Sequence, residues 1–167
     1  MDRKPSQLET LEQRATEGAL PPREAAAALG RVSLQLEVAC WPEEQRRLAG
    51  TGRRIATAEV VEVLVDEVPK PAIDARVLAG ALRLCGTKVI AAVLKRLYAQ
   101  ETDADRQPYY ELVVRLASYP ELRDSVTASL SAAQGERYHT VARQALMMVC
   151  ALAWIGRKTT ECARISA

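Results

Sequence analysis

The chain has 167 residues, 49% of them hydrophobic, with 23 basic residues against 21 acidic ones. Such apolar content excludes a disordered tail, and the length suffices for one domain with a core of its own. Divided near residues 55 and 100, each of the three parts lies within one charge of neutral, which argues against a dedicated nucleic-acid protein, whose basic residues gather on one face.

Ser6-Gln7-Leu8-Glu9 reads as a capping box, and a short helix is expected after it, ending near Gly18. The first residues, Met1-Asp2-Arg3-Lys4-Pro5, have no apolar stretch behind their charges, so a secretory signal is not expected. Pro22 suits a first helical turn, and Arg23 to Cys40 places Ala26, Leu29, Val32 and Leu36 at helical spacing. Trp41-Pro42-Glu43-Glu44 marks a new helix start, with acids at the positive end of the dipole; this helix is expected to end near Gly50 or Gly52. The next is predicted from Ile55 to Glu67. Its valines favour strands, but Glu59, Glu62 and Asp66 share one helical face and leave Val60, Val61, Val63 and Leu64 for the other.

Ala72 to Cys85 forms a further helix closed by Gly86, and Thr87 opens Lys88 to Gln100 with Val89, Ile90, Val93, Leu94 and Leu97 as its buried stripe. Glu101 to Gln107 is expected to be a loop. Pro108 then starts a helix through Leu112, Val113 and Leu116, and Pro120 starts another through Leu122, Val126 and Leu130. The last and most apolar helix is predicted from Glu136 to Ile155, ended by Gly156 and followed by a frayed tail. Its run Ala145 to Ile155 is too short to span a bilayer. With no Phe in the chain, the core must close on Ala, Leu and Val, which suits closely packed helices.

At a shift of about 33 residues, Gly52, Val60 and Leu64 recur as Gly86, Val93 and Leu97, and more faintly as Tyr119, Val126 and Leu130. With Leu84-Cys85-Gly86 at a tight turn before Val93 and Leu97, residues 42 to 155 resemble HEAT-like and armadillo-like repeats. The chain departs from that pattern at Tyr119, where glycine is expected, and has no consistent Asp and Arg at the inter-helix positions. Tetratricopeptide repeats fit less well. The resemblance implies an all-α, short right-handed α-solenoid of antiparallel helix pairs, with about seven or eight helices. Residues 1–20 would form a capping helix, 21–156 the repeat domain and 157–167 a tail.

Residues that could carry chemistry are few. His139 is the one histidine, and nothing in its spacing brings a Cys or Ser into reach, so a solvated place at a helix start is expected and no catalytic residue is assigned. Cys40, Cys85, Cys150 and Cys162 have no CxxC pair; the first three sit in apolar helical contexts and read as small buried hydrophobes in a reducing, cytoplasmic setting. No metal and no cofactor are expected. Arg46, Arg47, Arg53 and Arg54 flank the expected turn at Gly50–Gly52 and could hold a phosphate or an acidic partner.

In a solenoid the second helix of each pair lines the concave side. That would present Glu59, Glu62 and Asp66, then Lys88, Lys95 and Arg96, then Arg123, as a mixed-charge groove for a peptide or partner helix. Glu62 and Lys95 are related by the repeat shift and could instead pair. Ala145 to Ile155 of the last helix is apolar around its whole circumference, so either the segment Leu8 to Leu20 folds back over it or a second chain covers it; the second chain is the expectation, met by Leu146, Met147, Met148 and Trp154. The expected function is therefore non-enzymatic: an adaptor or regulatory protein-binding module, partnered by another protein or by a second copy through the last helix. A nucleic-acid-associated repeat using Arg46–Arg54 is the alternative, and a small helical enzyme has the least support. Nucleic acid and membrane are not the expected partners.

Overall fold

The structure, a computed structural model, describes residue 10 and residues 13–14, 20–70, 74–133 and 138–165, with the backbone alone from 154 onward. Among the described residues from 20 onward, eight helices follow one another: α1 (Pro22–Val38), α2 (Pro42–Ile55), α3 (Ala58–Asp66), α4 (Ala75–Leu84), α5 (Lys88–Ala99), α6 (Asp103–Ser118), α7 (Pro120–Ala132) and α8 (His139–Ile165). No strand occurs among the described residues. The helix expected after Ser6 lies largely outside them; Arg14, which is described, pairs with Glu24 at 3.1 Å.

Two kinds of start are used. α1, α2 and α7 begin on Pro22, Pro42 and Pro120, each preset for the first turn and missing only an N–H that a helix start leaves unpaired. α3, α4 and α6 are capped by side chains. Thr57 accepts from the Val60 N–H at 3.4 Å, and Asp74 from the Arg76 N–H at 2.8 Å. Thr102 accepts from the Asp105 N–H at 3.2 Å, while its hydroxyl donates to the Asp105 carboxylate at 2.6 Å.

α3 starts at Ala58 instead of Ile55, which belongs to α2, and three further boundaries differ from those expected of the sequence. α2 does not end at Gly50 or Gly52 but runs through both to Ile55. A glycine inside a helix costs about 1 kcal/mol relative to alanine, and here the helix gains a close approach in exchange. A Cβ built on Gly52 would lie 2.9 Å from Leu84 Cδ1 of α4 and 3.2 Å from its Cβ. Thr51, also buried, donates its hydroxyl back to the Arg47 carbonyl at 3.0 Å and so leaves no orphan polar group. Secondly, the predicted loop 101–107 is already helical from Asp103, and Pro108 lies inside α6. Thr102-x-x-Asp105 is a capping signal that outweighs the missing N–H of Pro108. Thirdly, α8 passes Gly156 and continues to Ile165, so residues 157–165 extend the helix rather than fray from it.

The chain divides into two compact units, Met1–Val89 and Ile90–Ala167, with the division inside α5. In the first, α1 is the central element. It buries Ala25, Ala28, Leu29 and Val32 and packs on α2, α3 and α4. α3 supplies Val60, Val61, Leu64 and Val65 to that core, and α4 supplies Leu78, Ala79 and Leu82. In the second unit α6 packs on α7 and α8. Leu112, Val113, Leu116, Leu122, Val126 and Leu130 are buried there, as their spacing predicts. Tyr110, buried on α6, donates its hydroxyl to Gln144 of α8 at 3.2 Å. The α5 stripe Val89, Ile90, Val93, Leu94 and Leu97 is buried throughout. Gly86, between α4 and α5, takes φ +68, a left-handed conformation that costs a side-chain-bearing residue about 1–2 kcal/mol.

The two glycines of α2 should therefore respond oppositely to the same change. Gly52→Ala inserts a methyl against Leu84 at a cost of about 1–3 kcal/mol, offset by about 1 kcal/mol of helix propensity, so a net destabilisation of up to about 2 kcal/mol is expected. Gly50→Ala meets nothing nearer than Arg54 Nη1 at 3.9 Å, and is expected to stabilise by about 0.5–1 kcal/mol. Thermal unfolding followed by circular dichroism checks both; melting temperatures that move in the same direction would contradict the packing described at Gly52.

Candidate functional site

A groove of about 510 Å³ lies in the first unit, walled by α1, α3 and α4. Its floor is apolar: Ala26, Leu64, Leu78 and Ala81 are buried, and Val63 and Val77 half-buried. α1 lines it with Arg23, Ala27, Gly30, Arg31 and Leu34, which recur every three or four residues and so share one helical face. At Gly30 the wall is thin: a Cβ there would stand 3.6 Å from Val77 Cγ1 of α4, an ordinary van der Waals contact. The far lip carries Glu67 and Lys70, joined by an ion pair of 2.7 Å.

The apolar character does not stop at the groove. Leu34 is 48% exposed, Val38 one turn further along α1 is 76% exposed, and Trp41 in the connection to α2 is 73% exposed. Exposed large apolar side chains in a row, beside a groove and rimmed by charge, mark contact surfaces more often than isolated ones do. Helical spacing assigned only Ala26, Leu29, Val32 and Leu36 of α1 to packing. The signal it passed over is a second apolar stripe on the same helix, Ala27, Gly30, Leu34 and Val38, which one buried face cannot take up.

The charged residues expected to form a groove are spread over both units. Glu59, Glu62 and Asp66 lie on α3, with Glu62 half-buried and the others exposed. The Glu59 carboxyl is held below its ordinary range by its own backbone N–H and then by the Thr57 hydroxyl, at the positive end of α3. Lys88, Lys95 and Arg96 lie on α5, where the lysines are exposed and Arg96 half-buried. Arg123 on α7 serves the backbone instead. Its Nε donates to the Ala117 carbonyl at 3.1 Å and Nη2 to that of Ser118 at 3.5 Å, closing the end of α6. Glu62 and Lys95 belong to different units.

Arg46, Arg47, Arg53 and Arg54 do not flank a turn, because α2 is continuous there. They occupy positions i−4, i−3, i+3 and i+4 around Gly50, the four places that neighbour it on a helix surface. All four are exposed. Arg46 Nε donates to the Pro42 carbonyl at 3.3 Å. The acids Glu43 and Glu44 stand in the first turn of the same helix.

On α8, Ala142, Ala145 and Val149 are buried, while Leu146 and Met148 are half-buried on either flank. Met147, between them, is 65% exposed. The side chain of Trp154 lies outside the described residues. His139 is exposed at the first position of α8. Among the described residues no three His, Cys, Asp or Glu side chains gather closely enough to hold a metal, and no helix is long and apolar enough to cross a membrane.

Of the three cysteines expected to be buried, only Cys85 is. Cys40 and Cys150 are exposed, Cys40 because α1 ends before it and Cys150 because it stands on the outer face of α8 with Met147. Burial pushes the Cys85 thiol up to about 12, and its hydrogen bond to the Ala81 carbonyl spans 3.6 Å. At pH 8 we expect iodoacetamide to label Cys40 and Cys150 within minutes and Cys85 only after unfolding, as read by peptide mass mapping. The unfolded thiol ionises near 9.0, so the stability linked to burying it is fully present below that pH and is lost as pH rises toward about 12. Rapid native labelling of Cys85 would contradict its placement. No family model, no curated protein and no solved structure matches this chain.

Proposed function

We propose that this chain is a non-enzymatic adaptor or regulatory protein-binding module, and that the groove of α1, α3 and α4 is the surface it presents. The observation that carries this reading is the groove itself with its apolar continuation over Leu34, Val38 and Trp41. Burying such side chains against a partner at about 25 cal/mol per Å² is the main source of affinity open to a surface with few polar anchors. The helical-repeat reading belongs to the same proposal. It is supported by α6 and α7, which are joined through Tyr119 alone and pack on each other, as expected of antiparallel neighbours in a HEAT-like pair. A reducing, cytoplasmic setting goes with it, supported by the free thiols of Cys40, Cys85 and Cys150.

Ala27→Glu with Val38→Glu tests the groove, since both positions are exposed and the fold does not depend on them. Affinity capture with the wild type and with this variant, compared by quantitative mass spectrometry, is expected to show partners held by the first and lost by the second. Identical sets from both would remove the groove from the reading.

A second interface is favoured by one observation, the exposed Met147 with half-buried Leu146 and Met148 on either side. A second copy meeting this face of α8 would make a homodimer, and methionines adapt readily to such contacts. Sedimentation at micromolar concentration is expected to show a dimer that Met147→Glu converts to a folded monomer. A wild-type monomer at that concentration ends the case for this interface. The nucleic-acid alternative ranks lower: the four arginines form one local ring on α2, accompanied by Glu43 and Glu44.

A further inference from the structure

We infer that the α1–α3–α4 groove takes an amphipathic helix of about three turns, supplied by a partner protein and carrying acidic residues beside its apolar seam. This rests on the protein-binding reading above and adds to it the chemistry of the partner.

Shape and length come first. A cavity of about 510 Å³ admits several large aliphatic side chains, and by volume alone it would also suit a small apolar ligand. A small ligand, however, would leave uncovered the apolar row that runs on from Leu34 to Val38. From Ala27 to Val38 that row spans eleven residues, about 16 Å along α1. A helix laid beside α1 covers this length in about three turns, with side chains at i, i+3 or i+4, and i+7 entering the groove.

Charge then selects the partner. On the α1 lip stand Arg23 and Arg31, both exposed and both lining the groove. Among the described residues neither has a carboxylate partner. Their neighbours of opposite sign are engaged elsewhere: Glu24 pairs with Arg14 at 3.1 Å and Glu37 with Arg76 at 2.9 Å. On the opposite lip Glu67 is neutralised by Lys70 at 2.7 Å. The rim is therefore cationic on one side and balanced on the other. The two guanidiniums are eight residues apart, about 12 Å along the axis. A docked helix would meet both with acidic residues seven or eight positions apart, on the side of its seam facing α1. A partner with basic residues there would place like charges together, which the rim disfavours.

The test uses the full chain and a display library of fourteen-residue helix-stabilised peptides with no imposed charge pattern. Selection on the wild type, with counter-selection on Ala27→Glu/Val38→Glu, is expected to enrich peptides with an apolar seam and acidic residues at i and i+7 or i+8. A selected peptide should bind Arg23→Glu/Arg31→Glu about ten-fold more weakly than wild type, while its Glu→Lys counterpart gains on that variant. Circular dichroism confirms that both variants stay folded, as their exposed positions require. Enriched peptides without acidic flanks, or equal affinity for wild type and the Arg23→Glu/Arg31→Glu variant, would overturn the acidic partner. No enrichment, or displacement of every peptide by dodecanoate, would overturn the helical occupant and, in the second case, assign the groove to a small amphiphile. Either result is separable from failure of the binding-module reading, because the capture experiment with Ala27→Glu/Val38→Glu stands or falls without reference to the partner's charge.

Discussion

The first unit depends on how closely its helices can approach. A core without Phe has no large flat side chain to bridge a wide gap, so the helices must come together over small residues. α1 does this with Ala25, Ala26 and Ala28, and α2 with Gly52 against Leu84. Because α1 spends one face on three neighbours, its opposite face is left lying between α3 and α4 without enough bulk to fill the space. The groove is the geometric remainder of that arrangement: small residues draw the helices together below, and Ala27 and Gly30 leave room above.

Much of this was legible in the residue order. The stripes of α5, α6 and α7 follow from spacing alone, because a buried helical face repeats every three or four residues whatever it packs against. The ends of helices were less legible. Whether Gly52 stops a helix depends on what stands opposite it, and Leu84 is 32 residues away; Gly86, by contrast, takes a positive φ and does end its segment. Thr102-Asp103-Ala104-Asp105 does carry its own start signal, but Pro108, which suits a first turn, offers a competing one five residues on. The groove was not legible, since Ala27, Gly30 and Leu34 look like ordinary surface until α3 and α4 stand on either side of them.

The charged side chains divide by role in a way their numbers in the sequence conceal. Arg123 and Arg106 turn back on the backbone, Arg106 reaching the Gln100 carbonyl at 2.6 Å and Asp103 at 3.0 Å. Such groups satisfy helix ends and are occupied. Arg23 and Arg31 hold no such post. Nearly neutral overall composition therefore coexists with a locally cationic lip, because among the described residues Glu24 and Glu37 of the same helix are paired with other cations.

The thin wall at Gly30 has an evolutionary consequence. A methyl group at that position would rest against Val77 without a clash, since the separation is that of ordinary contact. One methyl at this residue thus narrows the groove with the flanking helices left where they are. Homologous chains could diverge in the bulk of side chain they admit while keeping the same scaffold, so that selectivity drifts at position 30 and stability is decided elsewhere.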